Sequence, residues 1–335
     1  MIDSIDILSI KEKISKLRIG VVGDLIVDSY VWGDATRISP EAPVPIVHVK
    51  RRTQTLGGAA NVINNISCLG AKCYAYGIVG SDKSGRDLSQ MMEDLGCDTH
   101  GVLVDGSRCT TVKTRVIAAT QQVVRIDEEE LHDLDKEIRL NLMATIKADI
   151  DAGNLDGLIF EDYNKGVLDR ELVQELADYA KANGILTSMD PHPGHPMNIS
   201  NLTYITPNRS EAFALAGTYL SDGIIPVTDD APLMQVGKKL MDLWTPDILL
   251  ITLGAHGMAM FRKGKQIFHI PTKAKDVFDV SGAGDTVIST LMLALLAGCD
   301  GEAAAIVANH AAGVVVAHVG TVPIQLEELV ATFND

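Results

Sequence analysis

The sequence is poor in aromatic residues, has more acidic than basic residues and lacks a long uninterrupted apolar run. Aromatic side chains make up 4% of its 335 residues, which suits aliphatic α/β packing better than stacking on nucleic-acid bases. The formal net charge of −15 creates a field that repels DNA, RNA and anionic lipid. The most apolar stretches are 286–298, which is too short for a bilayer, and 303–319, which polar residues interrupt, so both predict buried helices.

Cysteine is also scarce, and histidine occurs in no metal-binding pattern. None of the five cysteines forms Cys-x-x-Cys, and their odd number argues against a full disulfide framework and favours a reducing cytosol. The nine histidines show no helical zinc spacing. The N-terminus lacks the basic start and apolar core of a signal peptide. These absences predict a cytoplasmic protein with neither nucleic-acid nor membrane partners.

The most informative segment is glycine-rich and runs from Asp279 to Asp285. It follows a strand-like segment at Val277 and Phe278 and precedes an apolar helical run, so the N–H groups of 281–284 should form a nest for phosphate oxygens at a helix N-terminus. Asp285 beside such an anion site is suited to accept a proton from an attacking hydroxyl. The alternative, a simple helix cap, needs neither Gly-Ala-Gly nor a second aspartate.

Strand-like and helix-like segments alternate along most of the chain. The predicted strands are 18–22, 72–80, 156–160, 185–189, 202–206 and 247–253. The predicted helices are 57–69, 84–95, 169–183, 208–216 and 231–243. This alternation indicates an α/β fold with a mostly parallel central sheet flanked by helices.

Two stretches, 43–50 and 109–127, alternate apolar and polar residues without intervening helices. They predict a small β-sheet that stands off the main body. We interpret it as a lid formed by segments about 30–55 and 108–128, because phosphoryl transfer requires that water be excluded; an edge hairpin is the alternative. Without a linker or internal repeat, the chain predicts a single domain, 1–335, with an appended lid.

A second glycine-rich segment begins the helix predicted at 57–69. Gly57 and Gly58 permit close approach of a ligand to the backbone, and Asn61 can donate to and accept from sugar hydroxyls, although a tight turn is the alternative. Asp24 and Asp28 follow the first predicted strand, and ligands bind at the carboxyl ends of parallel strands. A turn or helix cap explains Asp24 equally well.

Both glycine-rich segments carry a resemblance to a known family. Residues 279–285 match every fixed position of Asp-x-x-Gly-Ala-Gly-Asp, the signature of the ribokinase-like (PfkB) sugar kinases, and 57–61 resemble the family's other signature, which contacts the sugar. The resemblance implies a ribokinase-like fold, with Asp285 as catalytic base. It also implies that the backbone of Gly282, Ala283 and Gly284 holds the transferring phosphoryl group and that Asp28, Gly57, Gly58 and Asn61 bind the sugar.

The same resemblance implies ATP and Mg²⁺ as cofactors. Asn208 and Glu211 can form a capping box, and they also match the family's Asn-x-x-Glu motif, in which Glu211 would hold Mg²⁺ through water. Segment 252–257 resembles the family's Gly-x-x-Gly loop near the nucleotide phosphates, although a hairpin turn is the alternative. The implied nucleotide-binding residues are Asn208, Glu211, Thr252, Gly254, Gly257 and Asn309. Whether a monovalent cation is needed stays open.

Segments 37–45, 113–115, 121–127 and 162–166 resemble the bacterial heptose-7-phosphate kinases, and this resemblance extends from about 18 to 320. A sugar that already bears a phosphate requires cations, which arginine and lysine supply; for each, a solvated surface charge is the alternative. The cationic candidates are Lys113, Arg115, Arg125 and Lys165. Gln121 and Gln122 could contact hydroxyls, and Asp162 completes the substrate-binding candidates.

Three residues depart from the pattern of these kinases: Glu161 stands where serine is common, Asn164 where glycine is common and His192 where lysine is common. Segment 192–195 matches the His-x-Gly-His of nucleotidyltransferases, but its neighbouring prolines and its position inside the kinase region predict a loop. A chain that ends at 335 without a second domain is expected to be the stand-alone kinase.

The resemblance implies ATP-dependent phosphorylation of the C1 hydroxyl of D-glycero-D-manno-heptose 7-phosphate, for ADP-heptose and lipopolysaccharide core. The alternatives are a PfkB kinase for ribose, fructose or a fructose phosphate, and a non-catalytic sugar-phosphate sensor. A dinucleotide-dependent oxidoreductase is disfavoured because no Gly-x-Gly-x-x-Gly follows the first strand. The open edges of the predicted lid sheet favour a homodimer that pairs through it.

Overall fold

The computed structural model describes residues 6–274, 277–318 and 320–334. The strands are β1 (Arg18–Gly23), β2 (Leu25–Ile38), β3 (Pro45–Gly58), β4 (Lys72–Gly80), β5 (Asp98–Asp105), β6 (Thr111–Ala118), β7 (Gln121–Glu128), β8 (Gly157–Glu161), β9 (Leu186–Asp190), β10 (Tyr204–Ile205), β11 (Ile248–Thr252), β12 (Met258–Phe261) and β13 (Phe268–Ile270). The helices are α1 (Ile7–Ile14), α2 (Ala59–Cys68), α3 (Lys83–Asp94), α4 (Lys136–Asp151), α5 (Arg170–Ala182), α6 (Arg209–Leu215), α7 (Ala231–Trp244), α8 (Ala283–Leu296), α9 (Gly301–Val315) and α10 (Leu326–Ala331).

The large sheet has the order β13-β12-β11-β10-β9-β8-β1-β4-β5, and every neighbouring pair from β11 to β5 is parallel. Alternate residues of its strands enter two separate cores: Ile159 packs with the α2, α8 and α9 side, whereas Leu158 and Phe160 pack with the α4, α5 and α7 side. Strands buried on both faces read as continuous apolar runs, which made them visible in the sequence. The predicted α/β architecture is therefore confirmed.

The small sheet has the order β3-β2-β6-β7, with β2 and β3 antiparallel, β2 and β6 parallel, and β6 and β7 antiparallel. The chain enters the small sheet immediately after β1, where β2 begins at Leu25. It returns to the main body where β3 ends, at Gly58. All eight residues of β7 are exposed. The separate small sheet is thus as predicted, with longer strands than the sequence indicated.

The strand expected at Val277 and Phe278 is wrong. These residues follow the end of β13 at Ile270 and form an irregular segment with side chains 59% and 70% exposed. Val277 lines a cleft instead of a core. The apolar stretches beginning at 286 and 303 do form buried helices, α8 and α9, as predicted. In the part of the chain that the structure describes, no helix has both the length and the apolar character needed to cross a bilayer.

Candidate active site

The candidate site lies at the carboxyl ends of the central parallel strands, where helix α8 begins. Gly282 is the N-cap of α8 and has a left-handed conformation, with φ of +79°. A Cβ atom at Gly282 would lie 2.9 Å from the Asn61 Nδ2 atom, so glycine allows both this turn and the close approach of α2. Ala283 and Gly284 form the first turn, in which unpaired N–H groups and the helix dipole favour an anion.

Asp285 is 5% exposed in the first turn of α8 and accepts two hydrogen bonds. The Asn61 amide donates to its Oδ2 at 2.6 Å, and the Tyr163 hydroxyl donates to its Oδ1 at 2.9 Å. Burial raises the pKa of Asp285 to about 6, against the lowering effect of these two hydrogen bonds. The carboxylate is therefore fixed in orientation, ionised near neutrality and a better base than an exposed aspartate.

Asn61 and Tyr163 have roles that the motifs alone did not indicate. The sequence assigned Asn61 to the sugar, but its amide nitrogen holds Asp285, and only its Oδ1 is left without a hydrogen-bond partner within the described ranges. Tyr163 follows β8 within segment 162–166, for which the sequence analysis proposed no role in holding Asp285. The two residues are 122 positions apart in the chain, which explains why no local pattern revealed the contact.

Asp28 lies on β2, and its Oδ1 accepts a hydrogen bond from Arg115 Nη1 on β6 at 2.6 Å. A Cβ atom at Gly57 would lie 2.8 Å from the Asp28 Oδ2 atom, so this glycine makes room for the carboxylate. Gly58 pairs with Leu25 where β2 and β3 leave the main body. The predicted sugar residues Asp28, Gly57 and Gly58 therefore come together, with Arg115 already bound to the acid.

The other predicted phosphate-binding cations are paired with carboxylates. Lys165 Nζ lies 2.9 Å from Glu129 Oε2, and Lys113 Nζ lies 3.6 Å from the same oxygen and 3.2 Å from Asp127 Oδ2. Arg125 also binds Asp127, at 2.8 Å. Lys113 and Lys165 are thus brought together, as the sequence suggested, but around Glu129, so their charge is largely balanced.

Two further substrate candidates lie elsewhere. Gln122 pairs with Ile117 near the turn between β6 and β7, at the end of the small sheet remote from the main body. Asp162 is 6% exposed, accepts a hydrogen bond from the Asn164 backbone at 2.8 Å, and faces His195 Nδ1 at 3.2 Å. Burial raises the pKa of Asp162 to about 6. The 192–195 segment is irregular, as predicted, and it packs on Asp162.

A cleft of about 980 Å³, which Asp285 also lines, collects the predicted nucleotide-binding residues. Its lining includes Asn208, Glu211, Thr252, Gly254, Gly257, Asn309, Gly282, Ala283 and Gly284. The predicted capping box is present: Asn208 Oδ1 accepts from the Glu211 N–H at 3.0 Å, and Glu211 Oε2 accepts from the Asn208 N–H at 2.8 Å. Asn309 Nδ2 donates to the Pro271 carbonyl at 2.8 Å, which commits part of that side chain to the loop.

The sequence assigned no role to two acidic residues at strand ends, Glu161 and Asp190. One carboxylate oxygen from each lies within 4.8 Å of the other and of an Asp285 oxygen. Burial, with repulsion from neighbouring carboxylates, raises the pKa of both Glu161 and Asp190. Asp190 and Glu211 line the cleft, and Glu161 lies buried beside Asp190, so the cleft near α8 is rich in the carboxylate oxygens that Mg²⁺ prefers. The sequence feature that could have revealed these two residues is their position, because each is the last residue of a buried parallel strand.

The fold and site define a carbohydrate kinase, and the chain belongs to the family described as "pfkB family carbohydrate kinase", whose model matches residues 17–328. It is 44% identical to "Bifunctional protein HldE" of Desulfatibacillum aliphaticivorans, over 96% of this chain and 64% of that protein. It is 42% identical to the protein of the same name in Helicobacter pylori strain J99, over 95% of this chain and 66% of that protein. The chain thus spans about two thirds of the length of these relatives.

Solved structures show the same fold at low identity. Arabidopsis thaliana ribokinase complexed with ribose and ATP matches with a TM-score of 0.72 and 18% identity, over 96% of this chain and 99% of that one. Phosphofructokinase-2 from Escherichia coli, in complex with substrates and products, matches with a TM-score of 0.74 and 15% identity, over 95% and 98%. The predicted ribokinase-like fold and phosphotransferase class are confirmed.

Proposed function

We propose that this kinase transfers the γ-phosphoryl group of ATP to the C1 hydroxyl of D-glycero-D-manno-heptose 7-phosphate. The observation that carries the proposal is the position of Asp285, which Asn61 and Tyr163 hold between the nucleotide cleft and the Asp28 side of the site. The choice of heptose 7-phosphate is supported by the resemblance of segments 37–45, 113–115, 121–127 and 162–166 to kinases of that substrate. The product would be the 1,7-bisphosphate, a precursor of ADP-heptose and lipopolysaccharide core.

In the proposed reaction, Asp285 accepts the proton of the attacking hydroxyl. The N–H groups at Gly282, Ala283 and Gly284 hold the phosphoryl oxygens as charge moves during transfer. ATP supplies the phosphoryl group, and Mg²⁺ neutralises charge on its phosphates. Glu211, whose Oε2 caps α6, would hold that ion through water. The alignment of the base toward the acceptor depends on Asn61 and Tyr163.

At the sugar end, Asp28 and the free Oδ1 of Asn61 are the acceptors that we propose for sugar hydroxyls. Gly57 and Gly58 keep the backbone close enough for this contact. Arg115, Lys113 and Lys165 would bind the substrate phosphate, with Gln122 and Asp162 in supporting positions. To bind a phosphate, Lys113 and Lys165 must exchange Glu129 for it, so we expect the substrate to reorganise this ion-pair network.

The structure also offers an observation in favour of a second substrate. Because Lys113 and Lys165 already pair with Glu129 and Asp127, a substrate phosphate would have to compete with these carboxylates for the two lysines. A PfkB kinase for an unphosphorylated sugar such as ribose or fructose is therefore the second candidate.

A substrate panel separates the two. ADP release should be measured with ATP and Mg²⁺ for heptose 7-phosphate, unphosphorylated heptose, ribose, fructose and fructose 6-phosphate. Turnover restricted to heptose 7-phosphate would support the proposal, and turnover with an unphosphorylated sugar would replace it with the second candidate. D285N is the control for contaminating kinases, because it should lose the activity whichever sugar is the substrate.

We further propose that residues 1–335 form one domain, in which the small sheet acts as the lid, and that two chains pair through it. Val124 and Ile126 on the edge strand β7 are 47% and 49% exposed, which gives such a contact an apolar surface. The requirement for ATP and the free cysteines favour the cytoplasm as the place of action.

A further inference from the structure

Glu161 is a buried carboxylate to which the proposed reaction gives no role. It is the last residue of β8, near the middle of the large sheet, and its exposure is 0%. Neither carboxylate oxygen has a hydrogen-bond partner among the residues that the structure describes. An ionised carboxylate in such surroundings is strongly unfavourable unless a counter-charge lies beside it. The serine that is common at this position in heptose-7-phosphate kinases would create no such requirement.

Asp190 shares the same requirement. It ends the adjacent strand β9 and pairs in register with Glu161, so both side chains leave the sheet on one face. The Asp190 Oδ1 atom is also buried without a partner in the described ranges. Since the two carboxylates and Asp285 each have a ligand atom within 4.8 Å of the others, a single counter-charge can serve them together.

Within the described ranges, the basic side chains around the site pair with other carboxylates: Lys165 with Glu129 at 2.9 Å, and Arg115 with Asp28 at 2.6 Å. The imidazole of His195 faces Asp162 at 3.2 Å. None of these residues supplies the missing positive charge, which a bound ion or a proton can provide.

We propose that Glu161 and Asp190 bind a divalent cation directly, at the phosphate end of the cleft. We place Asp285 beside this ion and not among its ligands, because Tyr163 and Asn61 already orient its two oxygens and the proposed reaction needs it to accept a proton. Mg²⁺ fits the donor set, because proteins hold it through one or two carboxylates and leave its other positions to water and phosphate oxygens. Mn²⁺ takes the same oxygen ligands and serves as a probe.

This site is separate from the ion expected at Glu211. Glu211 uses one oxygen to cap α6, whereas Glu161 and the Oδ1 of Asp190 have no competing partner within the described residues. Because Asp190 lines the cleft together with Gly284, an ion on it would lie where ATP phosphates are expected. Its use in phosphoryl transfer rests on the proposed function, but its existence rests only on the carboxylates, so it should form without nucleotide.

Mn²⁺ binding to the full chain without nucleotide tests the site. Titration followed by the loss of the free Mn²⁺ paramagnetic resonance signal should reveal one site that Mg²⁺ displaces. E161Q keeps the shape of the side chain and removes its charge, so it should weaken Mn²⁺ binding roughly 10-fold or more, as should D190N. E211Q removes a carboxylate from the same cleft and should weaken nucleotide-free binding by less than about threefold, because it spares both ligands.

A thermal melt distinguishes the ion from a proton. Mn²⁺ should raise the melting temperature of the wild type, and at the same Mn²⁺ concentration it should raise that of E161Q by less, since binding to the folded state alone stabilises it. E161S, which removes the carboxylate altogether, serves in the same assays if E161Q does not fold. The inference is overturned if the wild type has no nucleotide-free Mn²⁺ site, or if the Glu161 variants bind Mn²⁺ as the wild type does. Either result would leave the proposed kinase activity untouched. Conversely, a Mn²⁺ site in a protein without sugar-kinase turnover would support this inference and contradict the proposed function.

Discussion

The carboxylate of Asp285 experiences two opposing influences. Burial favours its neutral form, and the hydrogen bonds from Asn61 and Tyr163 favour its charged form, so that its pKa lies at about 6. A base with that pKa is mostly ionised at pH 7 but retains appreciable affinity for a proton. The two donors therefore fix the orientation of the Asp285 carboxylate and also limit how far burial raises its pKa.

Replacing Asp285 by Asn should remove the base while leaving the nucleotide cleft in place. We expect kcat to fall roughly 10²–10⁴-fold, the usual effect of losing a general base. ATP affinity, measured by calorimetry, should change little because Asn keeps the size of the side chain and the other residues that line the cleft are unchanged. Near-normal turnover would refute the assignment of Asp285 as base.

The substitution Y163F should move the pH profile. The Tyr163 hydroxyl lowers the pKa of Asp285, so its loss raises that pKa. Because the base works only when deprotonated, the wild-type kcat/KM should fall as the pH drops through about 6, and in Y163F this fall should begin at higher pH. Y204F is the matched control, since the Tyr204 hydroxyl donates to the Ile288 carbonyl in the core; the same shift there would disprove the assignment.

Substitutions at Lys165 and Glu129 should change the KM for a phosphorylated substrate in opposite directions. K165M removes a charged donor, so KM for heptose 7-phosphate should rise roughly 10- to 100-fold, while E129Q frees Lys113 and Lys165 and should lower it. The measurement is steady-state kinetics with the phosphorylated and unphosphorylated sugar in parallel. Equal effects on both sugars would mean that these lysines do not bind the phosphate.

At the scale of elements, the parallel strands of the large sheet could be predicted where burial on both faces leaves a short apolar run; the edge strand β5 was missed because only Gly101 and Asp105 of its residues are buried. The helix α4 was not predicted: its N-cap Asp135 makes no capping bond, and its buried face has only Leu142, Ile146, Asp149 and Ile150. The length of β2 was also missed, because Gly33 and polar residues interrupt its alternation.

Within the candidate site, contacts between residues close in sequence could be predicted, whereas contacts between distant residues could not. Asp285 and the Asn208–Glu211 box could be predicted because each depends on neighbours within one helical turn. The contact of Tyr163 with Asp285, and that of Glu161 with Asp190, depend on strand order and register, which no local pattern contains.

The turn at 254–257 contains two glycines whose replacement should destabilise the protein to different extents. Gly257 has φ of +82°, and a Cβ atom there would overlap the Ile270 carbonyl oxygen; Gly254 has φ of +56° and open space around it. G254A should cost about 1–2 kcal/mol of unfolding free energy from backbone strain alone. G257A should cost roughly 2–4 kcal/mol more, as measured by urea denaturation. Equal losses would show that the turn relaxes around the added methyl group.

At the scale of the whole molecule, two sheets meet where β2 and β3 join the main body. Helices cover both faces of the larger sheet. In the small sheet, β7 is an edge strand on which Val124 and Ile126 are exposed. If two chains pair through the small sheet, I126K should halve the mass measured by light scattering after size exclusion. V104K changes a position that is even more exposed, 63% against 49%, on β5, the edge of the large sheet, and should leave the mass unchanged. A monomeric wild type would exclude the pairing.

The return of β3 into the main body has a mechanical consequence. Gly58 ends that strand, α2 starts at the next residue, and Asn61 two positions later donates a hydrogen bond to Asp285. A movement of the small sheet that displaces Gly58 would therefore be transmitted to the amide that orients Asp285. If the small sheet is the lid that we propose, the absence of sugar would leave this carboxylate poorly oriented and would limit the hydrolysis of ATP by water.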